Sequence, residues 1–178
     1  MQKRIVMAGA VLALITGCNM KNPFLTESSA PFGAPEFDKI KNEHYLPAFE
    51  AGVAEGKAEI DAIVANPDEP TFENTIEAME YAGETLNRVA GIFYNLMEAH
   101  TNDEMQAIAE QVSPMLTEFS MYTSLNAPLF ERVKSVYEKK DGLGLDADQM
   151  KLLEDTYNKQ TNFNLKNDYD YEKDLEHT

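Results

Sequence analysis

The sequence predicts an all-α fold, an antiparallel helical bundle or hairpin arrangement of about five helices. Three observations carry that expectation. Apolar residues recur at steps of three and four along most of the chain. Thr, Asn and Asp stand before the apolar runs, and Asn-Pro or Gly-containing stretches follow them, which marks helix starts and stops. After Cys18 no sustained run alternates apolar and polar residues as a half-buried strand must.

The chain opens on Lys3 and Arg4, then an uncharged apolar stretch from Ile5 to Ile15, about eleven residues long. A bilayer core needs about 20 residues of helix, so this stretch reads as the apolar part of a secretory signal. It leads into Ile15-Thr16-Gly17-Cys18, which resembles the bacterial lipobox. Small residues let a peptidase reach the backbone between Gly17 and Cys18, and the sole thiol of the chain lies at the cut. Residues 1–17 are expected to be a lipoprotein signal peptide. Cys18 is expected to be the lipidated N-terminus, anchored through acyl chains in the cell envelope with the membrane as partner. Asn19 is not the Asp associated with inner-membrane retention in some bacteria, which points to the outer membrane of a Gram-negative cell.

Charge narrows the partners further. The chain carries 15 Lys+Arg against 31 Asp+Glu, a net charge of −16. Losing Lys3 and Arg4 with the signal takes the mature chain from −16 to −18. Such a surface is repelled by phosphate backbones, so nucleic acid is excluded as a partner.

Residues 18–41 read as the lipidated cysteine and an extended tether, because Pro23, Pro31, Pro35, Gly33 and Ser28-Ser29 break any helical period. Phe24, Leu25, Phe32 and Phe37 are too apolar for a solvated linker and are expected along the surface of the folded body. That body spans residues 42–157. Its first helix carries Tyr45, Phe49, Val53, Ala54, Ile60, Ile63 and Val64, tolerates Pro47 in its first turn, and stops at Asn66-Pro67.

Thr71 caps a second helix whose stripe is Phe72, Ile76, Met79, Gly83, Leu86, Ala90, Phe93 and Met97, predicting one long element. Thr101 to Glu104 reads as a capping box. The third helix follows with Met105, Ile108, Val112, Met115, Phe119 and Tyr122, bent at Pro114 and antiparallel to the second. Asn126 caps a fourth helix, with Leu129, Phe130, Val133, Val136 and Tyr137 inward. Asp146 caps a fifth, through Met150, Leu152, Leu153 and Tyr157. Residues 158–178 form a polar tail, either poorly ordered or a weak terminal helix.

The chemical inventory is thin. Hydrolytic zinc needs imidazole and carboxylate ligands converging on one ion, and the usual helical solution is His-Glu-x-x-His. That pentad is absent: His44 and His100 lie 56 positions apart and His177 is in the tail. His44 reads as a hydrogen-bonded group at a helix start, and His100 as an imidazole at the negative end of a helix dipole. No Gly-x-Ser-x-Gly elbow or Gly-rich phosphate loop is present. Asp68/Glu69, Glu73/Glu77/Glu80 and Asp168/Asp170 read as solvated acidic faces. Tyr94, Tyr122 and Tyr137 suit core filling better than a peptide groove. No catalytic residue, metal ligand or cofactor is assigned to this chain.

Several segments, taken in order, resemble the N-terminal region of the thimet oligopeptidase and peptidyl-dipeptidase family of zinc peptidases. They are Asn22-Pro23-Phe24-Leu25, Pro35-x-Phe37-Asp38-x-Ile40, His44-Tyr45-x-Pro47-Ala48-Phe49, Asn66-Pro67, Phe72-x-Asn74-Thr75-Ile76, Ala99 to Glu104, and Leu143-Gly144-Leu145-Asp146. The resemblance runs from about Asn22 to Tyr157 and breaks near Asn158. It implies a piece of one helical lobe of a longer two-lobed enzyme that hydrolyses short peptides. The zinc ligands and catalytic Glu of that family lie far downstream, so none transfers here, and the chain is expected to be truncated and inactive alone. An alternative from another class is a stand-alone helical envelope module that holds short peptides, or pairs with a separately encoded catalytic segment. A purely structural envelope lipoprotein is a third.

Overall fold

A computed structural model describes residues 22–26 and 28–175, with side chains up to residue 162. The predicted signal peptide, its cleavage point at Gly17 and the lipidation site Cys18 lie outside the described residues. Among these the protein is all-α and holds no strand. No helix among them is long and apolar enough to cross a membrane.

The first helix, α1 (Tyr45–Ala65), is the axis of the N-terminal half. A single tight turn, Asn42–His44, precedes it, and it stops where Asn66 turns extended ahead of Pro67. Its buried face differs in detail from the apolar stripe. Tyr45, Phe49, Ile60 and Ile63 are buried as their spacing predicts, but Ala54 is exposed. The middle of the buried face is instead Ala48, Gly52 and Gly56, spaced four apart. An added Cβ on Gly52 would come within 2.9 Å of the Leu86 Cα, so the missing side chain lets two helix backbones approach.

The predicted long second helix is broken. Thr71 caps it as expected, its hydroxyl accepting from the Asn74 N–H at 3.2 Å while Asn74 Oδ1 accepts from the Thr71 N–H at 2.9 Å. Residues Phe72–Glu77 wind as a wide π turn into the short α2 (Ala78–Tyr81). Ala82 then goes extended, Gly83 takes φ +77°, and α3 (Glu84–His100) starts afresh. Glycine can adopt that left-handed φ at low cost, and the freed Gly83 N–H donates to Glu59 Oε2 at 2.7 Å. The apolar spacing continued across a break that a single Gly in the stripe made possible.

α4 (Asp103–Ser124) follows a two-residue connection and runs through Pro114 without interruption. Its cap is one residue later than the predicted box. Asn102, not Thr101, accepts from the Met105 N–H, and Glu104 is drawn away to accept from Asn42 Nδ2 at 2.7 Å. The second predicted helix and the third are indeed antiparallel, but α1 mediates between them. α1 runs antiparallel to α3, with Tyr45 against Phe93 (ring centroids 4.9 Å) and Gly52 against Leu86. It runs parallel to α4, with Lys57 Nζ donating to Glu118 at 2.8 Å and the Tyr122 hydroxyl donating to Asp61. The core they share holds Phe49, Leu86, Val89, Phe93, Ile108 and Val112.

α5 (Ala127–Tyr137) is capped by Asn126, which accepts from the Leu129 N–H at 3.1 Å. α6 (Ala147–Leu175) is capped by Asp146, with Gln149 accepting back from the Asp146 N–H at 3.0 Å. The two bury Val133, Val136 and Leu153 against Phe72 and Ile76. α6 continues without a break past Tyr157 to Leu175, so the described part of the polar tail is helical.

Candidate functional site

Each sequence-predicted polar residue has a definite place. His44 is buried, and its Nδ1 accepts from the Lys41 N–H at 3.1 Å. Its carbonyl accepts from Asn22 Nδ2 at 2.8 Å, so the imidazole and backbone together lock the chain into α1. His100 is exposed at the end of α3. His177 lies outside the described residues. Among the described residues no group of three or more His, Cys, Asp or Glu is placed to hold a metal ion.

Glu36, Glu43, Glu138 and Asp155 pair with lysines close by in the chain, whereas Glu69, Glu118 and Glu154 pair across elements. Glu69 accepts from Lys139 at 2.5 Å, and Lys139 holds its carboxyl below the ordinary range. Glu118 is lowered in the same way by Lys57. Asp168 and Asp170 lie on α6 beyond the described side chains. The tyrosines do not converge on a groove. Tyr94 packs on the Phe93 edge, Tyr122 donates to Asp61, and Tyr137 stacks on Tyr157 with centroids 3.9 Å apart. The Asp61 carboxylate pushes the Tyr122 hydroxyl up, since losing that proton breaks the bond. Lys140 lies 4.4 Å from the Tyr137 ring centroid and donates to Glu154 at 2.8 Å, which raises its pKa, with Tyr137 second in effect.

The N-terminal segment departs most from expectation. Phe24 is not on the surface: it is 2% exposed, sits 5.2 Å from the Tyr45 ring, and its carbonyl accepts from Arg88 Nη2 at 2.7 Å. Leu25, Phe32 and Phe37 are exposed instead, Phe32 completely. Two hollows flank Ile40 along the outer face of α3. One of about 320 Å³ is lined by Phe32, Glu36, Glu84, Arg88 and Ile92 among others. The other, about 200 Å³, is lined by Phe37, Lys41, Leu96 and His100. A third, about 290 Å³, lies between α2, α4 and α6, where Gln160 is buried and its amide atoms find no partner among the described residues.

Sequence reasoning missed Arg132. Its Nη1 donates to the Asn66 carbonyl at 2.9 Å and its Nη2 to Asn74 Oδ1 at 3.2 Å, tying α5 to the turn between α1 and α2. A lone Arg on an amphipathic helix carries no signal of such a distant pair of acceptors.

The geometry is that of a helical scaffold, and comparison with known proteins says of which kind. Dipeptidyl carboxypeptidase of Escherichia coli is 47% identical over 133 residues, covering 75% of this chain and 20% of the relative. The chain is homologous to peptidases. Dipeptidyl carboxypeptidase of Salmonella typhimurium is 44% identical over 133 residues, again 75% of the chain and 20% of the relative. Oligopeptidase A of the same organism is 26% identical over 135 residues, 76% of the chain and 19% of the relative. The chain thus spans about a fifth of the length of the curated relatives it matches. No family model matches it. These peptidases form the M3 family, and the ordered motif set between Asn22 and Tyr157 resembles one region of them.

Proposed function

We propose that this chain is the N-terminal helical segment of a peptidyl-dipeptidase-like zinc oligopeptidase, a scaffold piece without hydrolytic chemistry of its own, held at the envelope through lipid on Cys18. The observation that carries the reading is 47% identity over 133 residues confined to 20% of a dipeptidyl carboxypeptidase. In the full-length enzyme class zinc would polarise the scissile carbonyl and activate water, and the resemblance puts its ligands far downstream of this segment. What these residues supply is shape. α1, α3 and α4 form a rigid wall, and Arg132 and Phe24 fix the turn and the N-terminal segment against it.

The test is hydrolysis of short peptides by the purified full chain, with added zinc and with chelator. No cleavage above background is expected in either condition. Release of dipeptides that zinc supports and chelator abolishes overturns the reading.

A further inference from the structure

We infer that the edge of the fold carrying Phe32 and Phe37 lies against the membrane surface. The inference rests on the reading of Cys18 as the lipid anchor and adds to it which face of the body meets the bilayer. Phe24 is fixed in the core beside Tyr45. Only six residue steps separate it from Cys18, and at about 3.6 Å per extended residue the body stays within about 22 Å of its anchor. The tether therefore keeps the N-terminal segment close to the bilayer.

That segment is where apolar side chains are left in the open. Phe32 is fully exposed, and Phe37 is more than half exposed. Among the described residues Phe32 is the non-glycine residue with positive φ, 61°, in the middle of the Pro31–Gly33 turn. A strained backbone that presents a large aromatic to solvent marks a contact surface more than a packing solution. Ile40 lines both hollows, together with Phe32 and Ile92 in one and Phe37 and Leu96 in the other. Aromatic rings at this level suit the boundary between headgroups and acyl chains. Lys41 in one hollow suits a headgroup phosphate, as does what remains of the Arg88 guanidinium in the other beyond its bond to the Phe24 carbonyl, while Glu36 and Glu84 beside Arg88 favour zwitterionic over anionic lipid.

The chain contains no Trp, so single reporters are clean. Full-length lipidated chain carrying Phe32→Trp, Phe37→Trp or Tyr81→Trp is reconstituted into phosphatidylcholine–phosphatidylethanolamine vesicles with or without brominated lipid. Tyr81 is 65% exposed and lies beside Ile63 at the far end of α1, about 27 Å from Tyr45 at 1.5 Å per residue. The expected result is a blue-shifted emission with loss by brominated lipid at positions 32 and 37, and neither at 81. Vesicle-bound chain with water-like, unquenched emission at 32 and 37 overturns the inference while leaving the anchor intact. A blue shift at 32 that is already present in detergent-free, lipid-free protein assigns the face to a protein contact and overturns it too. If the mass of the N-terminal peptide shows no lipid on Cys18 and the chain does not float with vesicles, the anchor reading and this inference fall together.

Discussion

Phe119 on α4 lays the edge of its ring over Gly56 on α1, where an added Cβ would come within 2.8 Å of the ring's Cζ. Four residues earlier on the same face, a Cβ added to Gly52 would come within 2.9 Å of the Leu86 Cα. The same substitution thus meets a movable ring at one site and a fixed backbone at the other.

Gly52→Ala is expected to destabilise and Gly56→Ala to be close to neutral. Ala gains about 1 kcal/mol of helix propensity over Gly at both sites. Overpacking against a backbone that cannot yield costs about 1–3 kcal/mol, whereas the Phe119 ring can tilt. Urea midpoints at unchanged m-value read the difference; equal losses at both positions would contradict it.

Arg132 is expected to act through its fork and not its charge. Arg132→Lys keeps the cation but loses the paired geometry toward Asn66 and Asn74. A loss of about 1–3 kcal/mol is expected for both Arg132→Lys and Arg132→Met, since each takes the guanidinium donor from the Asn66 carbonyl. A double cycle with Asn74→Ala isolates the coupling; a Lys variant as stable as the parent would disprove the role.

Phe24 and Phe32, eight positions apart in one segment, are expected to respond oppositely to truncation. Phe24→Ala empties a core position and costs about 3–5 kcal/mol, a large part of a domain stability of about 5–15 kcal/mol. Phe32→Ala in detergent solution changes stability by no more than about 0.5 kcal/mol. Thermal loss of helical circular dichroism measures both.

Acid is expected to cost the cross-element ion pairs. Glu69 and Glu118 titrate below the ordinary carboxylate range because Lys139 and Lys57 hold them ionised. Their contribution is therefore present above that range and fades as pH falls through the lowered values. Both pairs are exposed, so the effect is small. Removing Lys57 and Lys139 together (Lys57→Met, Lys139→Met) should lower the melting temperature at pH 7. The gap to the parent should close on acidification, even though relief of the general negative charge shifts both curves. A gap independent of pH would rule the pairs out.

Local signals were read well. Thr71, Asn126 and Asp146 cap helices as their neighbours predict, because a side chain two or three residues from an orphan amide meets it whatever the fold. The buried residues Phe72, Ile76, Leu86, Phe93, Ile108 and Val112 follow from spacing alone. Where a local rule had two solutions, the competing contact chose. Asn102 displaced Thr101 as cap once Glu104 was engaged by Asn42, a partner 62 positions away. The break at Gly83 is of the same kind. The stripe permitted a continuous helix, and Glu59 on another helix stabilised the open amide of the interrupted one.

The sequence by itself determined that this protein is all-α, where most helices begin, and which peptidases it resembles, since these depend on short-range hydrogen bonds and on residue order. Only the tertiary structure decided that α1 stands between α3 and α4, that Phe24 is core while Phe32 is bare, and that Arg132 ties α5 to the turn after α1. Those outcomes depend on which surfaces meet at van der Waals distance. A pattern of apolar and small residues says that a face is buried, but not against what.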